Sequence, residues 1–166
     1  MGATGWSYFV PYQADINAAL QALRQDVFES GKYFHLSDIV PFADDIMNIM
    51  PEGFADMLQQ DAEELGLDDL PEPTTIEELL ELNAESGTHS ILDIEGISAT
   101  PGFASAAPLS VDQLLELFGT EQPNHAQVEA KIHDIYDLRE RWQGTYVIVY
   151  KDREPEEILF VGYSGD

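Results

Sequence analysis

Between Lys32 and Lys131 the chain runs for ninety-eight residues without a lysine or arginine, while Tyr33–Ala130 carries 21 Asp and Glu. A carboxylate taken out of water without a partner is heavily penalised. Within this span only His35, His89 and His125 could offset any of that charge, and only when protonated. The fold therefore has to turn most of these acids outward and reserve its interior for aliphatic and aromatic groups.

Enough such groups are present. Of 166 residues, 44% are hydrophobic and 10% aromatic, the composition of a globular chain rather than of a disordered acidic tail. This length suits a single domain spanning residues 1–166, with a core that needs no staples. The formal net charge of -25 favours solubility and attracts cations. It argues against bare nucleic acid and against anionic membrane surfaces, both of which reward Lys and Arg. The absence of cysteine excludes disulfides, thiol catalysis and thiolate metal sites. The N-terminus shows no signal-peptide pattern and the chain no apolar run of membrane-spanning length, so the expectation is a cytoplasmic protein.

Hydrophobic periodicity predicts an α+β fold: a small antiparallel sheet, including a C-terminal β-hairpin, with about five helices packed on one face. Trp6–Val10 reads as a strand stopped by Pro11, and Ala14–Ser30 as an amphipathic helix capped by Gly31. Lys32–Leu36 suits a brief strand or a linker. Asp38–Leu65 reads as one or two helices, followed by a connection over Leu67–Pro73. Thr75-x-x-Glu78 and Ser110-x-x-Gln113 are capping boxes, each opening a short amphipathic helix. Thr88–Ile94 is predicted as a strand and Pro123–Trp142 as the longest helix. Thr145–Tyr150 and Glu157–Tyr163, joined by a turn over Lys151–Glu156, form the hairpin.

Motifs with chemical meaning are few. His125, Glu129, His133 and Asp137 recur every four residues, which on one continuous helix would stack two imidazoles and two carboxylates on a single face. Completed by another element, they could hold a divalent cation for a small carboxylate- and histidine-dependent enzyme. A solvated helix face explains the same spacing. His89 and Asp93 on a strand would stand about 13 Å apart, too far for a hydrogen bond. No cofactor motif is present.

The acidic field is the stronger signal. Asp44, Asp45, Asp61, Glu63, Glu64, Asp68, Asp69, Glu72, Glu77, Glu78, Glu81 and Glu85 crowd within about forty positions. Gathered on one face, they would steer a basic partner and give fast, salt-sensitive association. The leading expectation is an acidic protein-binding domain that neutralises or regulates a basic protein. An immunity protein or antitoxin directed against a cationic toxin or nuclease is its concrete form. Trp6, Phe54, Phe103 and Tyr163 are candidate aromatic anchors for that contact. An enzyme using the His125–Asp137 quartet and an accessory domain without isolated activity are the alternatives. Five of the seven bases, Lys131, Arg139, Arg141, Lys151 and Arg153, fall near the C-terminus. They could form a basic end or neutralise the acids around them.

Overall fold

The structure, a computed structural model, describes residues 4–35 and 72–165. The expected helices over Asp38–Leu65 and most of the Leu67–Pro73 connection lie outside the described residues. So do Asp44, Asp45, Phe54, Asp61, Glu63, Glu64, Asp68 and Asp69. The chain divides into two compact units, one of Met1–Tyr33 with Glu85–Asp166 and the other of Phe34–Ala84.

The larger unit is built on a five-stranded sheet. Its strands are β1 (Gly5–Pro11), β2 (Gly96–Ile97), β3 (Ser105–Pro108), β4 (Gln143–Lys151) and β5 (Glu154–Tyr163), in the order β1-β5-β4-β3-β2. The expected hairpin is its centre: β4 and β5 pair antiparallel, with Lys151 opposite Glu154. Asp152 and Arg153 both take positive φ, 51° and 69°, the paired left-handed geometry that matches strand twist in a two-residue loop. β1 adds antiparallel to β5. The expectation of a purely antiparallel sheet is corrected at the other edge, where β2 pairs parallel with β3 and β3 parallel with β4. Parallel neighbours need a crossover, and here three helices between Val111 and Tyr136 fill the connection from β3 to β4.

Strand alternation sorts the side chains onto two faces. On one, Val147, Val149, Leu159 and Val161 join Leu109, Val128 and Ile135 in a buried cluster. Three helices supply or flank it: α3 (Val111–Phe118), α4 (His125–Glu129) and α5 (Ile132–Tyr136). On the other face lie Trp6, Phe160 and Gly144, the last so close to Trp6, Ala106 and Ile94 that a side chain there would press on all three. Helix α1 (Ile16–Ser30) packs beside this layer, against β2 and a single 3-10 turn over Ile91–Asp93 that also touches β5. Phe160, Leu20, Ile91, Leu92, Ile94, Ile135, Ile158 and Leu159 are fully buried. Each such side chain contributes about 1.5–3 kcal/mol relative to exposure.

The caps follow the sequence. Asp15 Oδ1 accepts from the Ala18 amide at 3.0 Å to open α1, and Gly31 closes it in the left-handed region with φ 66°. Ser110 and Gln113 form a reciprocal capping box on α3. Of the two readings of Lys32–Leu36, the described residues Lys32–His35 take the linker form. One expectation is corrected here. The Pro123–Trp142 helix is two short helices separated at Ala130–Lys131, where the Lys131 amide bonds back only three residues, to Val128 O at 3.0 Å. Trp142 itself is outside any helix, with φ 61°. No residue in that stretch forbids a continuous helix, so tertiary packing of Val128 and Ile135 into the sheet cluster overrides local propensity.

In the smaller unit, α2 (Ile76–Leu82) is opened by Thr75, whose hydroxyl accepts from the Glu78 amide at 3.2 Å. Asn83 Nδ2 donates to Phe34 O at 2.6 Å, and Leu79 is fully buried. Among the described residues no helix is long and apolar enough to cross a membrane.

Candidate functional site

The acids of the crowded field that fall within the described residues are outward. Glu72, Glu77, Glu78, Glu81 and Glu85 are all exposed, while Leu79 between them is buried. Glu77 and Glu78 occupy the first turn of α2, where the helix dipole favours negative charge. Glu81 stands four residues from Glu77 and three from Glu78, spacings at which like charges on a helix repel. No Lys or Arg lies within the unit to relieve this. Glu78 is held most firmly: the Thr74 amide and hydroxyl both donate to its Oε2 at 2.8 Å. Those bonds, the backbone one first, hold its carboxyl below the usual range. With Glu72, Pro73, Thr74, Glu81 and Leu82 it lines an open depression of about 470 Å³. The expected Thr75-x-x-Glu78 box is thus shifted by one: the helix caps as read, but the carboxylate reaches Thr74.

Three of the five C-terminal bases have local partners. Lys131 Nζ lies 2.6 Å from Asp134 and Lys151 Nζ 3.1 Å from Glu156. Glu156 holds the Lys151 ammonium above its ordinary value. Arg139 is 8% exposed and donates to Leu138 O and Gly144 O, burial pushing its guanidinium down. Lys131 and Lys151 thus pair with acids beside them, while Arg139 is taken up by backbone carbonyls.

The break between α4 and α5 splits the His125–Asp137 ladder, leaving His125 and Glu129 on one short helix and His133 on the next, with Asp137 as its C-cap. His125 turns away to Glu157, its Nδ1 2.7 Å from the carboxylate, and its ring lies 4.3 Å from Phe9. His133 sits beside Tyr136, and Asp134 has Lys131. Among the described residues no three His, Asp or Glu side chains converge on a point where a metal could bind.

Sequence reasoning missed a different cluster. Thr88–Ile94 is not a strand: Ser90 caps the 3-10 turn, its hydroxyl accepting from the Leu92 amide at 3.2 Å. That turn folds Asp93 back on Thr88, whose amide and hydroxyl donate to Asp93 Oδ1 at 2.7 and 2.8 Å. The Thr88 and Ser90 hydroxyls bond each other at 2.8 Å. Asp93 Oδ2 has no partner of ordinary hydrogen-bond geometry, although the Ser164 hydroxyl lies near enough to favour the charged form. Burial dominates and pushes the Asp93 carboxyl up, against the pull of Thr88, Ser164 and His89. His89, with φ 53°, thus comes within electrostatic reach of Asp93, which a strand would not allow. The visible signal was Thr88, Ser90 and Asp93 at turn-forming spacing, the side chains that compete with extended backbone. Thr88 and Ser90 are fully buried and Asp93 is 2% exposed, so the network is enclosed, with Ser164 just past β5 beside Asp93.

Of the expected anchors, Trp6 is 4% exposed and belongs to the core, and Tyr163 is half-buried against Tyr136. Phe103 is 74% exposed. Comparison with known proteins finds no match among family models, curated proteins or solved structures.

Proposed function

We propose that the chain is an acidic binding domain that neutralises or regulates a basic partner protein, in the manner of an immunity protein or antitoxin facing a cationic toxin or nuclease. The observation that carries this reading is α2, which buries Leu79 while exposing Glu77, Glu78 and Glu81. Like charges kept on one helix surface cost stability, and a cationic partner removes that cost. The mechanism is occlusion: carboxylates pair with the Lys and Arg side chains through which such a partner grips phosphate.

Affinity capture from native lysate at low salt, eluted with a salt gradient, tests the proposal. A basic protein should be retained, released as salt rises, and lost when Glu77, Glu81 and Glu85 are changed to Lys together. Glu78 is left intact because it also closes the cap of α2. Retention of no basic protein, or retention indifferent to both salt and charge reversal, would contradict it.

A further inference from the structure

The exposed Phe103 and the half-buried Trp142 form an aromatic corner tied down by backbone hydrogen bonds. Their ring centroids are 5.6 Å apart at 42°. Phe103 is the most exposed large apolar side chain among the described residues. An unsupported loop would let such a ring fold down, yet the backbone here is fixed on both sides. Ala104, with φ 50°, donates its amide to Trp142 O at 2.8 Å and accepts from the Glu95 amide at 2.8 Å. Trp142, with φ 61°, donates its amide to Tyr163 O at 3.1 Å. The Trp142 ring lies so close to Gly165 that a β-carbon there would fall 1.8 Å from Cζ2.

Two non-glycine residues in the left-handed region on one corner are strain that the surrounding bonds must hold, the kind of outlier that marks binding surfaces. The corner's surroundings select a ligand. Glu95, bonded through its amide to Ala104, and Glu140, two residues before Trp142, are both exposed. Arg141, the base on the same turn, has an interaction of its own. An aromatic face flanked by carboxylates favours a cation that also carries a flat apolar surface, which is the chemistry of guanidinium rather than ammonium.

We propose that the Phe103–Trp142 corner, flanked by Glu95 and Glu140, is a contact that receives an arginine side chain of the basic partner. This deepens the binding reading above and rests on it. The corner is the aromatic anchor, and the carboxylates elsewhere supply steering.

The test is titration with a hexa-arginine peptide, followed by amide and indole NMR signals, with hexa-lysine and hexa-citrulline peptides as controls. The Trp142 indole should shift saturably with arginine, several-fold less with lysine and not with citrulline, while the buried Trp6 indole stays still. Phe103→Ala should abolish the Trp142 shift and weaken arginine binding several-fold. The triple change of Glu77, Glu81 and Glu85 to Lys should leave the Trp142 shift in place. Arginine binding that bypasses Trp142 would overturn the corner while leaving the acidic-domain reading standing. Equal shifts with citrulline would overturn the cation assignment. Absence of any salt-sensitive peptide binding would overturn both.

Discussion

Asp93 accepts two hydrogen bonds on one oxygen and none of ordinary geometry on the other, in a position 2% exposed. Its carboxyl is pushed up by burial, so the folded protein holds this proton at pH values where the unfolded chain has released it. Asp93 therefore contributes stability that is present below the ordinary carboxylate range and lost as pH rises through the raised value. Asp93→Asn keeps the acceptor for Thr88 and removes the titration. Urea midpoints measured against pH should fall more steeply for wild type than for this variant across that window, and parallel curves would contradict the assignment. Gly162 makes a second residue-scale prediction. A β-carbon there would meet Gln143 O and the Trp6 ring, each at 2.5 Å, and the backbone oxygen cannot move aside. Gly162→Ala should lower stability by about 1–3 kcal/mol by urea denaturation, the usual cost of overpacking.

At the scale of elements, legibility follows how local the determining physics is. Alternating Val and Ile over Thr145–Tyr150 and the apolar run of Glu157–Tyr163 fall inside β4 and β5, because one hairpin specifies both strands. Thr75, Ser110 and Gly31 cap helices through residues within four positions, so those ends were readable. The two-residue β2 and four-residue β3 carry too little pattern, and their parallel pairing depends on packing across the chain. The Ala130–Lys131 break has no residue signature, which is why the metal ladder looked continuous. The Asp93 clasp was hidden because Ile91, Leu92 and Ile94 suit a buried strand and a buried turn equally. Ser110→Ala, which removes the hydroxyl accepting from Gln113 at an exposed cap, should cost about 1 kcal/mol in thermal or chemical denaturation. An unchanged midpoint would mean that α3 is held by Leu114, Leu117 and Phe118 alone.

For the whole molecule, charge outweighs any single contact. A net charge of -25 on 166 residues repels itself, and added salt screens that repulsion within about 8–10 Å at physiological strength. Thermal midpoints should rise with sodium chloride, and a fall would mean that attractive pairs such as Lys151–Glu156 dominate instead. Binding should respond the opposite way, since salt weakens attraction between unlike surfaces. The decisive measurement is the affinity of a captured basic partner across a salt series, for wild type and for the combined Glu77→Gln, Glu81→Gln and Glu85→Gln variant. The account predicts that wild-type affinity falls steeply as salt rises and that the variant binds more weakly with a shallower dependence. Equal affinities and equal slopes would contradict it.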